Sequence, residues 1–217
     1  MSFKRRIQLS ITLLILTVST ILTMYFLYHQ EKIAQEKAFV SSQNIKNLYD
    51  SIRKDLEKFY IYRAYANLRS PGVKEAMSAR DSEKLYDLSF SRYSTLREEN
   101  PHLIVMQFHA PDGKSILRMH RKETFGDDIA SRRPLLKRTH RTQTVHAGFE
   151  GGIEGIAYRI VVPFMDKNVY IGALEFGLDP DAIISKLIQT TKMETLFLIH
   201  ESRMAAANNQ KYQTKYS

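Results

Sequence analysis

From Ile7 to Tyr28 the chain runs for 22 residues without a charged side chain, which matches the ~20 apolar residues a helix needs to cross a bilayer. No other stretch approaches that length. Serine and threonine are frequent in it, and their hydroxyls can bond back to helix carbonyls. Lys4, Arg5 and Arg6 precede the run, and Tyr25 and Tyr28 lie at its far end, where aromatic rings favour the interface. A cleaved signal peptide would have a shorter apolar core ending in a small-x-small site, and none precedes His29. Residues 1–29 therefore read as an uncleaved anchor. The basic cluster keeps the N-terminus cytoplasmic, and everything from about residue 30 lies outside.

That placement argues against nucleic acid as a partner, although the net charge is +9, from 32 basic and 23 acidic residues. The excess suits an anionic membrane surface or an anionic ligand. The absence of cysteine excludes a disulfide framework, a zinc-thiolate site and a cysteine nucleophile.

Residues 30–69 read as a long helix. Gln30 to Leu68 contains no glycine or proline, and Ile45, Leu48, Ile52, Leu56 and Phe59 recur at helical spacing. At about 1.5 Å per residue it reaches on the order of 50 Å. It is either a core helix or a signalling stalk that packs on the distal domain and pairs with its twin near the membrane. The cluster Phe59, Tyr60, Tyr62 and Tyr65 reads as packing. Ser70-Pro71-Gly72 breaks the helix. Asp81-Ser82 then offers an N-cap for a helix that Asn100-Pro101 stops.

The segment from His102 to Asp179 reads as a sheet of three or four strands with a polar loop and a short helix. Leu103 to His109 is apolar, and Pro111-Asp112-Gly113-Lys114 supplies a hairpin turn. Ser115 to Arg121 alternates, with Leu117 and Met119 on one face and Arg118 and His120 on the other. Pro134 opens a short basic helix. Gly151-Gly152 reads as a turn between strands. Ile156 to Phe164 and Val169 to Leu178 form a second hairpin across residues 165–168. Asp179-Pro180-Asp181 caps a helix to about Gln189, and Thr195 to Ile199 reads as another strand. Antiparallel strands with helices to one side make an α+β domain.

One face of such a sheet must pack on apolar helix residues. Arg118, His120, Arg159 and Glu175 fall on the other face, beneath the loop from Lys122 to Pro134. Arginine offers a planar fork for a carboxylate or phosphate, so the group can hold an anionic ligand. The plainer alternative is an Arg–Glu structural pair with solvated neighbours. Asp127 and Asp128 are either ligand contacts, a loop lock, or caps for the next helical turn. Tyr158 falls on the apolar face and reads as core. His120, His140, His146 and Glu150 match no compact metal-ligand spacing. No catalytic motif appears, so the chain is not expected to be an enzyme and no cofactor is expected. From Lys114 to Arg141 there are nine basic residues against three acidic ones. Arg132, Arg133, Lys137, Arg138 and Arg141 lie on or beside the short helix, as a solvated face or as a field that draws anions to the pocket.

In combination and order, LRMHRKETFGDDIASRRP, GFEGG, YRIVVPF and YIGALEFGLDPDAI resemble the Cache group of extracytoplasmic sensor domains. More narrowly, they resemble the double-Cache sensors of bacterial histidine kinases, chemoreceptors and diguanylate cyclases. The resemblance covers about Gln30 to Gln189. It implies a PAS-like module at residues 70–189, with a long helix on one sheet face and a small-molecule pocket on the other. It also implies a single-pass protein of the bacterial inner membrane with a periplasmic sensor. Residues 190–217 read as the start of an incomplete second module or a loose tail, so the chain is expected to be truncated after its first module. The function expected is binding of a small anionic metabolite, with a signal passed along the N-terminal helix. The partners expected are a ligand, the membrane, a homodimer through the stalk, and a partner kinase or receptor. The alternative is a non-sensing adaptor or truncated remnant that pairs with such a receptor.

Overall fold

The structure is a computed structural model, and it describes residues 3–152, 155–195, 197 and 198. The chain divides into two units, Met1–Leu48 and Tyr49–Ser217. In the first, helix α1 (Phe3–Leu68) carries the uncharged run, and its threonine hydroxyls bond back to carbonyls three or four residues earlier. By length and composition this helix can cross a membrane, and it is the one such helix among the described residues.

In the second unit the last turns of α1 meet helices α2 (Val73–Ala79) and α3 (Ser82–Glu99) and five strands. The buried stripe of α1 runs through Ile52, Leu56, Tyr60, Ala64 and Leu68. A spacing of four keeps these side chains on one face. The stripe passes through Tyr60 rather than Phe59, which stays 37% exposed. Asp81 caps α3 by accepting from the Lys84 amide at 3.0 Å.

The strands are β1 (Leu103–His109), β2 (Ser115–Arg118), β3 (His146–Gly152), β4 (Gly155–Asp166) and β5 (Val169–Leu178). They form one antiparallel sheet in the order β2-β1-β5-β4-β3. The β4–β5 hairpin turns at Lys167 and Asn168, both at positive φ, a pair of conformations that suits a two-residue hairpin turn. Helix α4 (Pro134–Thr142) follows a short 3-10 turn at Ala130–Arg132, and α5 (Asp181–Thr191) follows the sheet.

Register fixes the two faces. Phe176 stands between Met106 and Ile160, and its ring meets Tyr60 of α1 with centroids 5.0 Å apart. Glu175 stands between Gln107 and Val161 and faces the other way. On that second face Val161 and Ala173 pack with Ile129 and Leu136, so α4 and the preceding loop cover it.

Three expectations are corrected. The second strand ends at Arg118, and His120 lies in the turn beyond it. Gly151-Gly152 closes a strand rather than making a turn. The segment HAGFEGG has no β-branched residue, so only its pairing with β4 makes it extended. Of the expected strand at Thr195 to Ile199, Thr195, Phe197 and Leu198 are in no regular element, and Leu196 and Ile199 lie outside the described residues, as does the tail beyond them.

The helix–sheet seam yields a contrast. Leu56→Ala, at a buried position, is expected to cost about 2–5 kcal/mol. Tyr60→Phe, which deletes the hydroxyl that accepts from Asn100 Nδ2 at 3.0 Å, should cost about 1 kcal/mol. Tyr62→Ala, 63% exposed, should stay within about 0.5 kcal/mol. Urea unfolding of the three variants checks the order.

Candidate functional site

The centre of the covered face is Glu175 on β5, 1% exposed. Its Oε1 accepts from Arg133 Nη2 at 2.9 Å and from Arg159 Nη1, and its Oε2 meets His109 Nε2 at 2.9 Å. Arg159 comes from β4 and His109 from the end of β1. Arg133 sits immediately before Pro134, in the extended conformation that a residue before proline prefers. The guanidiniums are further held by main-chain oxygens: Arg133 Nη1 donates to Gly151 at 2.9 Å and Arg159 Nε to Glu150 at 3.3 Å. A side chain at Gly152 would run into both guanidiniums, so the glycine there leaves them room.

Burial alone would raise the Glu175 carboxyl, but Arg133, Arg159 and the His109 hydrogen bond together hold it well below the usual carboxylate range. His109 is pushed the other way. Burial lowers its pKa, Arg133 and Arg118 add to that, and Glu175 opposes them only in part. A neutral imidazole donating Nε2–H to an ionised carboxylate is the resulting state. Glu150 is raised by burial, while its Oε1 accepts from the Leu135 amide in the first turn of α4 at 2.8 Å.

Above this floor lies the loop from Lys122 to Pro134. It runs beside the β2 edge, where Gly126 donates to the Ser115 carbonyl at 2.8 Å and Ser115 donates to the Asp127 carbonyl at 3.1 Å. Arg118 reaches up from β2. Its Nη2 binds both Asp127 oxygens at 2.8 and 2.9 Å and its Nη1 donates to the Thr124 carbonyl at 2.7 Å. Arg132 Nη2 lies 3.6 Å from the same Asp127. Asp128 instead accepts from the Ser131 amide at 3.2 Å and caps the 3-10 turn. The two adjacent aspartates thus divide the roles of loop lock and cap.

Between loop and floor is a cavity of about 930 Å³. It is lined by Arg118, Arg121, Arg132, Arg133 and Arg159 together with His120, and its acidic lining residues are Glu123 and Asp127. Phe125, 58% exposed, also lines it. Among the described residues, no group of three or more His, Asp or Glu is placed to hold a metal ion.

Arg118, His120, Arg159 and Asp127 therefore share one cavity, with Glu175 directly behind it and Asp128 turned to the main chain. The Arg–Glu structural pair of the plainer alternative is present, since Glu175 takes Arg133 and Arg159, while Arg118 goes to Asp127. Arg133 is the correction with most consequence, since it is 8% exposed rather than part of a solvated helix face. Arg132, Lys137, Arg138 and Arg141 are exposed as read. His109 and Gln107 are additions. Their signal was present in the alternation of β1, which sets both on the Glu175 face as polar residues within an apolar run. Arg133 carried only the extended bias of a residue before proline.

No protein of curated function matches the sequence significantly. Among solved structures, the chain is similar to a domain of a putative sensory box/GGDEF family protein from Vibrio parahaemolyticus, at 16% identity over 70% of this chain and 62% of that one, with TM-score 0.49. It is also similar to the extracellular domain of the putative histidine kinase vpHK1S-Z8, at 17% identity over 66% of this chain and 56% of that one, with TM-score 0.49. The E. coli DcuS sensor domain is similar at 15% identity over 63% of this chain and 98% of that one, again with TM-score 0.49. The chain thus spans roughly three-fifths of the length of the first two. The family model for the double sensory domain of two-component sensor kinases, dCache_3, matches residues 34–216. With the covered sheet face and its cavity, that match makes the chain a member of the double Cache family of extracytoplasmic sensor domains.

Proposed function

We propose that this module binds a small anionic metabolite in the cavity beneath the loop and passes the change to α1. The observation that carries the reading is the convergence of five arginines on a 930 Å³ cavity whose acidic lining is Glu123 and Asp127. A guanidinium fork recognises a carboxylate or phosphate through two parallel bonds. The size suits a small organic molecule. The reading takes α1 as the anchor of a single-pass protein of the bacterial inner membrane, with the N-terminus cytoplasmic and the module outside. The sensor passes its signal to a partner kinase or receptor, as one of a pair joined through α1, and itself catalyses nothing.

The two arginine layers differ in what they offer a ligand. Glu175 is sealed, and no solute displaces it. Asp127 has a side chain 40% exposed, so an incoming anion can take its place on Arg118 and release the loop. Transmission is supported by β4. Arg159 joins the Glu175 cluster on one face, while the preceding residue Tyr158 donates its hydroxyl to Glu57 of α1 on the other. Glu57 in turn holds Arg53 at 2.6 Å. An adaptor without a ligand would not need the cavity.

Thermal unfolding of the 217-residue chain in detergent micelles, against a panel of organic acids, amino acids and phosphates, tests the reading. A ligand at 100 times its Kd should stabilise by about 2.7 kcal/mol. A folded protein that no anion stabilises would count against it. Arg118→Ala should remove most of that stabilisation and itself cost about 1.5–3 kcal/mol, the worth of a charged hydrogen-bond pair. Glu175→Gln should cost more, about 3–5 kcal/mol, because it strands two buried guanidiniums. Equal losses in the two variants would show that Arg118 is as structural as Glu175.

A further inference from the structure

Among the described residues, the buried polar atoms that make no hydrogen bond include two ring nitrogens on facing elements, Nδ1 of His109 and Nε2 of His140. An unpaired polar atom in the interior costs about 1–3 kcal/mol. The fold brings together the strand and helix that carry these two rings. His109 is the ladder partner of Ala173, and Leu136 of α4 packs with Ala173. His140 lies four residues after Leu136, one turn further along the same helix face. Its proton affinity is lowered by the neighbouring His109 in addition to burial. On its far side His140 Nδ1 meets the Tyr170 hydroxyl at 2.6 Å.

Chemistry assigns the His109 tautomer. Glu175 is ionised and only accepts, so His109 carries its proton on Nε2 and leaves Nδ1 as an acceptor. Burial keeps Tyr170 protonated; with its hydroxyl as the donor to His140 Nδ1, His140 carries its proton on Nε2. One orphan is therefore a donor and the other an acceptor.

We propose that Tyr170, His140, His109 and Glu175 form one buried relay, closed from His140 Nε2–H to His109 Nδ1 through one bridging water, and that this relay is a proton-sensing site of the module. A proton added at His109 Nδ1 removes the acceptor and sets imidazolium against His140, loosening α4 from β1. The charged and titratable groups that bear on the pair are Glu175 and Tyr170 on β5, Arg118 on β2, Arg133 before α4, Arg159 on β4 through Glu175, and Asp112 in the β1–β2 turn. Because Arg133 and Arg159 end on the same carboxylate, acid reaches the floor of the cavity by this route. The inference does not rest on the ligand reading, since it needs no ligand.

The sign of the pH effect follows. Both histidines are held below the ordinary 6.5, His140 at about 4. As pH falls below 6.5 the unfolded chain takes up protons first. The stability the neutral pair contributes is full above pH 6.5 and is lost between there and about 4.

The test is nitrogen NMR of the full chain, labelled with ¹⁵N-histidine, in detergent micelles from pH 8 to pH 4 without added ligand. Both rings are expected as Nε2–H tautomers at pH 8, with His140 staying neutral until about pH 4. His140→Gln, which cannot titrate, should move the His109 Nδ1 resonance and flatten the fall in thermal stability between pH 6.5 and 4. Tyr170→Phe, which keeps the ring, should release the tautomer preference of His140. An Nδ1–H tautomer at His140, or two rings titrating independently near 6.5, would overturn the relay. So would an unchanged stability profile in His140→Gln. If that variant fails to fold, the wild-type tautomers decide.

Discussion

The site side of this domain depends on one buried carboxylate. Glu175 draws together β5, β4, the end of β1 and the residue that opens α4, through Arg159, His109 and Arg133. Desolvating each ion costs several kcal/mol, and only close, fully bonded partners offset it. Two arginines on one carboxylate leave an excess of positive charge. That excess is met by the Glu150 carboxylate, 3.6 Å from Arg133 Nε, and by main-chain oxygens of β3. β3 is thus held by more than its ladder. A glycine-rich strand with little intrinsic preference for extension is fixed at the sheet edge by what its carbonyls bind.

Two layers of charge follow from this arrangement, and their exposure separates their roles. The deep layer around Glu175 is sealed and rigid, so it shapes the cavity floor. The upper layer, Arg118 with Asp127, joins the sheet to a loop whose aspartate reaches water. An ion pair of that kind is exchangeable, because an anion from solution replaces one carboxylate by another at little desolvation cost. The cavity therefore has one wall held by buried ion pairs and one held by a partly exposed pair, and the proposed exchange of an anion for Asp127 draws on that difference.

Most of the architecture was legible in the sequence because periodicity and turn chemistry carry it. The uncharged run, the glycine-free helix, the Asp81 cap and the hairpin at 165–168 are local signals, and each stands near where it was read. Parity was enough to set Arg118, Arg159 and Glu175 on one face. Parity could not choose partners, since pairing depends on which strands are adjacent. Arg118 lies on the edge strand, with β1 and β5 between it and Arg159, and its fork therefore meets the loop rather than Glu175. Arg133 was hidden for a related reason. In sequence it is one of a cluster of basic residues, and only the extended turn before Pro134 separates its direction from that of its exposed neighbours.

Strand β4 holds the two halves of the domain together in a way that bears on signalling. Successive residues of a strand point to opposite faces, so Tyr158 and Arg159 belong to different environments while sharing one backbone. Arg159 is bound to the cavity floor, and Tyr158 is bound to Glu57, which carries Arg53 on the next turn of α1. Burial pushes the Tyr158 hydroxyl up, so it stays a donor around neutral pH. A close-packed sheet does not deform continuously. A displacement of the Arg159 guanidinium that moves β4 must therefore be felt at Glu57, where the strand meets the helix. Between the Arg159 guanidinium at the cavity floor and the Tyr158–Glu57 hydrogen bond to α1 there is a single peptide bond, and that proximity supports the proposed route through β4.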